Sequence, residues 1–321
     1  KYGFILPNRG SLGTPENTVT IAKRAEEMGY DSLFKGDHIV VPGNINSRYP
    51  YTATGEFPGS DSGEAQEMLA VLSFLAGQTR TIRLVTSVII VPHRNPLVAA
   101  KALATLDVLS NGRLVVGIGA GWMREEFEAL DLPPFEERGA VTDEYVRAFK
   151  ELWTSETPTF EGKYCRFSDI TFLPKPVQKP HPPIWVGGES PRALRRTAEL
   201  ADGWYPLGAN PNFPLEKPEQ LAAAISRLAS YAEKAGRDPS DIEIIHWIPR
   251  YDLNKDGEAL SNGERLPFTG SADQIASDIR RYEEMGVGHL VVDFFRAKSG
   301  IGLEEGLQSM EDMATQVWPL V

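Results

Sequence analysis

The sequence predicts an α/β fold, a (β/α)8 TIM barrel with insertion segments at its C-terminal mouth. Three observations carry this. Strand-like apolar runs alternate with helical patterns eight times along the chain. The 321 residues exceed the about 250 that such a barrel typically needs. Two buried-strand patterns, in Arg113–Trp122 and Pro183–Arg192, each end in glycines, Gly117, Gly119 and Gly121 in one and Gly187 and Gly188 in the other. A barrel builds its sites at that end of its strands. A doubly wound sheet is the rival, but it usually carries its nucleotide fingerprint after the first strand. Here the first strand runs into Leu6-Pro7-Asn8-Arg9.

Taken in order, Tyr2–Pro7 reads as the first strand. Thr14-Pro15-Glu16 opens a helix with proline at its first position, and Gly29 closes it. Asp31–Lys35 is the second strand, ending in Gly36-Asp37-His38. Residues 42–63 form a long loop rich in Pro, Gly, Ser, Tyr and Asn, a composition and length typical of a functional lid. Glu64–Gln78 is a helix, Ile82–Val91 the third strand and Asn95–Leu109 a helix ended by Asn111-Gly112. Arg113–Gly119 is the fourth strand. The segment 122–182 reads as an insertion with helices at Glu125–Leu130 and Thr142–Trp153, a β-like piece at Thr159–Phe167 and a proline-rich run. Then follow strand Ile184–Val186, helix Pro191–Leu200, strand Gly203–Leu207, helix Glu219–Ala235, strand Ile242–Ile248, helix Ala272–Met285, strand His289–Phe295 and helix Leu303–Val317. The chain, 1–321, reads as one domain.

Composition narrows the function. With 33 basic and 44 acidic residues the net charge is −11, which argues against a broad nucleic-acid footprint. One cysteine, Cys165, excludes an internal disulfide framework and a cysteine-based zinc site. No apolar run has the length of a membrane span, and the chain opens directly on a strand, so neither a membrane anchor nor a signal peptide is expected. A cytoplasmic enzyme acting on a small molecule is the expectation, with a homodimer left open.

The predicted strand ends collect Pro7–Arg9, Asp37-His38, Ser87–Arg94, Gly119–Trp122, Gly187–Ser190, His246–Arg250 and Phe294–Arg296. His38 is one of five histidines and follows a strand directly, where an imidazole can move a proton near neutral pH. The bland alternative is a capping Asp37 beside a solvent histidine. Gly187-Gly188-Glu189-Ser190-Pro191-Arg192 offers a helix start with Ser190 as cap, where free N–H groups can hold an anion. Arg192, Arg195 and Arg196 can line one helix face. Glu189 opposes an anion there, and a purely structural cap explains the same residues. Trp122, Trp185 and Trp204 are core by default or walls of an aromatic pocket. His93 and His246 are candidate polar pocket residues. No metal-ligand spacing, nucleophile elbow or Walker loop occurs.

Several stretches together resemble the luciferase-like monooxygenase superfamily. They are Gly36-Asp37-His38, Val85–Val88, Arg94–Asp107, Leu109–Leu114, Gly117–Trp122 with Glu125-Glu126-Phe127, Arg138-Gly139, Pro174–Gln178, Pro183–Gly188 and Ala201–Trp204. Within it the chain is most similar to the coenzyme F-420-dependent oxidoreductases. The resemblance implies a flavin or deazaflavin at the barrel mouth, a cis peptide at Ser87-Val88 behind its ring, and His38 as proton donor or base. It implies cofactor contacts from Asp37, Ser87, Val88, Gly119, Gly121, Gly187, Gly188, Ser190 and Arg192. Trp122 stands where the sugar-phosphate dehydrogenase branch has a catalytic glutamate. Glu189-Ser190 also resembles the phosphate contacts of flavin mononucleotide (FMN) members. The expected activity is hydride transfer between F-420 and a small organic substrate. The alternatives are an FMN-dependent monooxygenase using reduced flavin and oxygen, or a barrel that binds a ligand without turnover.

Overall fold

The structure, a computed structural model, describes residues 1–59, 62–254, 257–259, 263–295 and 301–321. Ser60 and Asp61 of the expected loop and Arg296 of the expected rim lie outside them. Eight parallel strands close into a ring: β1 (Tyr2–Ile5), β2 (Ser32–Lys35), β3 (Arg83–Thr86), β4 (Leu114–Gly119), β5 (Ile184–Gly187), β6 (Gly203–Tyr205), β7 (Glu243–Trp247) and β8 (Val287–Val292). Neighbours in the ring are consecutive in sequence. Gly3 of β1 faces Ser32 of β2 on one side and Val291 of β8 on the other, and Leu84 pairs with Leu114 where β3 meets β4. This is the (β/α)8 barrel.

Side chains alternate between two cores, as period-2 strands require. Phe34, Val85, Val115, Trp185, Tyr205, Ile245 and Val291, one from each of β2 to β8, fill the barrel interior. β1 contributes Gly3 there, because a Cβ at Gly3 would lie 2.5 Å from the Phe34 ring. The other strand face packs on the helices, with Leu33, Leu84, Leu114, Ile184 and Leu290 buried. Each such buried aliphatic side chain stabilises the fold by about 1.5–3 kcal/mol.

The outer helices are α1 (Pro15–Met28), α2 (Met68–Gln78), α3 (Pro96–Leu109), α4 (Arg124–Ala129), α5 (Arg138–Thr154), α6 (Pro191–Leu200), α7 (Pro218–Lys234), α8 (Ala272–Glu284) and α9 (Leu303–Asp312). Their starts are chemically marked. Thr14 Oγ1 accepts from Asn17 N at 3.3 Å, Asn95 Oδ1 from Leu97 N at 3.0 Å, and Ser190 Oγ from Ala193 N at 3.2 Å.

Two expected elements are redrawn. α2 starts at Met68 and not at Glu64, because the Glu67 carboxylate caps Ala70 N at 2.6 Å. Gln66 is used elsewhere, donating to Gly13 O at 2.6 Å and accepting from Lys35 Nζ at 3.1 Å. The apolar run Ile82–Val91 is not one strand. β3 ends at Thr86, the Ser87-Val88 bond is cis, Ile89–Ile90 pairs again with β4, and Val91–His93 is a 3-10 turn. No helix of the described residues is long and apolar enough to cross a membrane.

Candidate active site

The C-terminal ends of the strands open into a cleft of about 1250 Å³. That exceeds the roughly 300–1,000 Å³ of an ordinary small-ligand pocket, so a cofactor and a substrate fit together.

His38 lines this cleft just after β2. Its Nδ1 lies 2.9 Å from Glu126 Oε2 on α4. A carboxylate only accepts, so Nδ1 carries the hydrogen, and Nε2 is the basic nitrogen of the neutral ring. Glu126 is almost wholly buried. Burial would raise its pKa, but the hydrogen bonds from the His38 ring and the Ile39 N–H oppose burial, and the pKa is lowered. Its Oε1 also accepts from Ile39 N at 2.8 Å and Val40 N at 3.3 Å. His93 stands behind, its Nδ1 3.8 Å from Glu126 Oε1. Burial pushes the His93 pKa down to about 4, so this ring stays neutral.

Asp37 does not touch His38. It accepts both arms of Arg94 at 2.7 and 2.8 Å and the Ile90 N–H at 3.0 Å. Arg94 also reaches Glu67 at 2.7 Å. The pair ties β2 to the segment after β3. Removing one member of such a buried pair costs about 3–5 kcal/mol. His246 is fully buried against Tyr282, 5.4 Å between ring centroids, and outside the cleft.

Val88, delivered by the cis bond, packs on the glycine ends of β4 and β5. A Cβ at Gly119 would lie 2.5 Å from Val88 Cγ2, and one at Gly187 would lie 3.0 Å from Val88 Cγ1. These two glycines and Val88 therefore form a low floor on which a flat ring can rest, which fits a flavin-type group. Ser87 Oγ lies 3.0 Å from Tyr205 Oη, and the Tyr205 ring is parallel to Trp247 at 6.3 Å. Gly121 (φ 84°) carries the chain past Phe127 toward α4.

At α6 the loop turns through Gly188 (φ 102°), whose carbonyl accepts from Trp204 Nε1 at 2.9 Å. Glu189 points away from the helix start. Its carboxylate accepts from Leu207 N and Asn210 Nδ2, both at 2.8 Å, and burial raises its pKa to about 7. Ser190 caps the helix through Ala193 N, Leu194 N bonds Ser190 O and Pro191 has no N–H, so in the first turn the Arg192 N–H is left without a partner among the described residues. Four arginines surround this end. Arg138 donates to Gly121 O and Phe135 O, and Arg196 pairs with Asp143. Arg195 donates to Pro191 O, and Arg192 has no acceptor among the described residues. Burial, then the charges of Arg192 and Arg124, lower the pKa of Arg138. The cations are crowded, and an added polyanion relieves that crowding.

The loop after β2 covers the His38 side. Tyr49, Phe57 and Trp122 form an aromatic wall, with ring centroids 5.1–5.4 Å apart. Phe57 lies 4.9 Å from the His38 ring. Glu125 Oε1 holds the loop by accepting from Asn46 N at 2.8 Å and Ser47 N at 3.0 Å. Of the three tryptophans in question, Trp185 is core, Trp204 braces the Gly188 turn and Trp122 is wall.

The structure thus gathers His38, Ser87, Val88, Gly119, Gly121, Gly187, Gly188, Ser190 and Arg192 around one cleft, with Asp37 beneath it. Glu125, Glu126, Arg138 and Tyr205 were given no site role from the sequence, and Trp247 was collected only as part of the strand-end stretch His246–Arg250. An acidic pair in the first turn of a helix just beyond a rim glycine run was the available signal for the first two.

The mouth of this closed (β/α)8 barrel brings together a flat glycine floor, the His38–Glu126 pair and the start of α6. The chain belongs to the luciferase-like monooxygenase family, whose model matches residues 1–262. An uncharacterised protein of Mycobacterium tuberculosis is 31% identical over 290 residues, 88% of this chain and 96% of its own. An FMNH2-dependent dimethylsulfone monooxygenase of Pseudomonas putida is 36% identical over 213 residues, 65% of this chain and 56% of its own. An F-420-dependent glucose-6-phosphate dehydrogenase of Microbacterium testaceum is 31% identical over 234 residues, 72% of this chain and 62% of its own. In fold, the chain superposes on a Streptomyces bottropensis monooxygenase with a TM-score of 0.77 at 24% identity, over 99% of both chains. The protein is an oxidoreductase.

Proposed function

We propose that this chain is a coenzyme F-420-dependent oxidoreductase that moves a hydride between the deazaflavin and a small organic substrate. The observation that carries the choice is Arg192, which has no acceptor among the described residues at the start of α6, set beside Arg195 and beside Arg138, whose pKa burial and then the Arg192 charge lower. F-420 bears a phosphate and a carboxylate-rich tail and meets more of these cations than a single phosphate does. When bound, the cofactor supplies the hydride chemistry. The protein's residues do the rest. Gly119, Gly187 and Val88 seat a flat ring, Ser190 and Arg192 take the phosphate, and Tyr49, Phe57 and Trp122 exclude water. His38 Nε2 accepts or returns the substrate's proton, and Glu126 keeps the ring in the tautomer that can do so.

One observation favours a second reading, an FMN monooxygenase. Arg94 is spent on Asp37 and Glu67, which removes one cation from the set available to a polyanionic tail. Anaerobic incubation of the protein with F-420 and a panel of small alcohols and aldehydes tests the proposal. Substrate-dependent change in the deazaflavin absorbance is the expected result. Turnover that needs oxygen and reduced FMN, with none on F-420, contradicts it.

A further inference from the structure

The cleft holds a second cationic group, across the barrel from the first. β1 and β5 are four strands apart in either direction round the ring. Arg192 follows β5, and Arg9 follows β1. Arg9 lines the cleft and is half-buried, yet among the described residues its one hydrogen bond runs from Nε to the neutral Asn8 Oδ1 at 3.2 Å. Among the described residues it forms no ion pair. The nearby Glu64 carboxylate accepts from Gly10 N at 2.8 Å. The other cleft carboxylates near the dyad are committed, Asp37 to Arg94 and Glu126 to His38.

The loop is fitted to this guanidinium. A Cβ at Gly59 would lie 2.2 Å from Arg9 Nη1. Gly55 is pressed likewise on Arg48, the next cation on this rim, where a Cβ would lie 2.8 Å from Arg48 Cζ. Among the described residues Arg48 donates to Ala53 O alone, at 3.4 Å. Beneath them the wholly buried Lys35 ends on Pro7 O at 3.3 Å and Gln66 Oε1 at 3.1 Å, with no carboxylate partner among the described residues. Phe57 joins this group to the dyad, its ring 5.7 Å from Arg9 Cζ and 4.9 Å from the His38 ring.

A half-buried guanidinium with two unused nitrogens is a fork for an oxyanion. We infer that Arg9, assisted by Arg48, binds an anionic group of the substrate, a carboxylate or sulfonate. The aromatic wall of Tyr49, Phe57 and Trp122 takes the substrate's apolar or aromatic body and presents it to His38. This deepens the proposed function and rests on it for the role of His38, but binding at Arg9 is measurable without turnover.

The test is calorimetric titration with benzoate, phenylacetate and 3-phenylpropanoate and their amides, which share shape and differ in charge. Wild type and Arg9→Gln are compared, each with and without saturating F-420 or FMN, whichever binds. The expected result is that the best acid binds wild type at least tenfold more tightly than its amide. Arg9→Gln abolishes that preference, leaves amide affinity within twofold and leaves cofactor affinity within twofold. Arg9→Lys, which keeps charge but loses the fork, retains part of the preference. Equal binding of acid and amide, no binding of any acid, or a preference intact in Arg9→Gln overturns the inference. Loss of cofactor affinity in Arg9→Gln also overturns it and assigns the guanidinium to the cofactor. Failure of both cofactors to bind overturns the proposed function alone, because the cofactor-free arm still reads Arg9.

Discussion

The Glu126 carboxylate holds Nδ1 of His38, which leaves Nε2 as the nitrogen without that partner. His38→Ala is expected to lower kcat by about 100- to 10,000-fold with cofactor affinity unchanged, read by steady-state kinetics and direct titration. Glu126→Gln places an amide N–H or a weaker acceptor against Nδ1. It is expected to cost on the order of 100-fold or more in kcat, by loss of the tautomer that the carboxylate enforces, while KM changes little. His38 was legible from its place after a strand. Glu126 was not, because it lies 88 positions away, and only closure of the barrel brings the two rims together. Asp37, its sequence neighbour, points elsewhere because successive residues on extended backbone face opposite ways.

At the scale of elements, the strand and helix alternation was readable because apolar periods of 2 and 3.6 are local properties. Helix α6 matches its expected range, since Ser190-Pro191 marks its start chemically. The end of β3 was not readable from the apolar pattern of Ile82–Val91, and only the resemblance marked it, at Ser87-Val88. The loop after β2 was visible as a loop, but its clamp was not. Glu125 meets Asn46 and Ser47 through backbone N–H groups, which carry no sequence signature. Glu125→Ala frees both groups, so hydrogen exchange at Asn46 and Ser47 is expected to quicken, with a higher KM and a smaller change in kcat. We expect loop 42–63 to act as a lid, with residues 42–59 gaining exchange protection on cofactor binding. Equal protection in both states contradicts that.

For the whole molecule, buried histidines set an acid limit. Burial holds His93 at about 4, His246 at about 3 and His289 well below 6.5. A lowered folded pKa means that the unfolded chain takes up protons first. The stabilisation is therefore complete above 6.5 and is lost as pH falls from there through about 4 and then 3. His93 alone accounts for about 3 kcal/mol of it, at 1.36 kcal/mol per pKa unit. Urea midpoints are expected to stay level from pH 8 to about 7 and to fall steeply toward pH 4. A midpoint unchanged at pH 5 contradicts this.

The claim on which the rest depends is that the arginine-ringed start of α6 receives a polyanionic deazaflavin. Its most direct measurement is side-by-side titration of F-420 and FMN at physiological salt, with wild type and Arg192→Ala. Tighter binding of F-420, weakened about tenfold in Arg192→Ala, is the expected result. Tighter binding of FMN, or F-420 binding indifferent to Arg192, would contradict it.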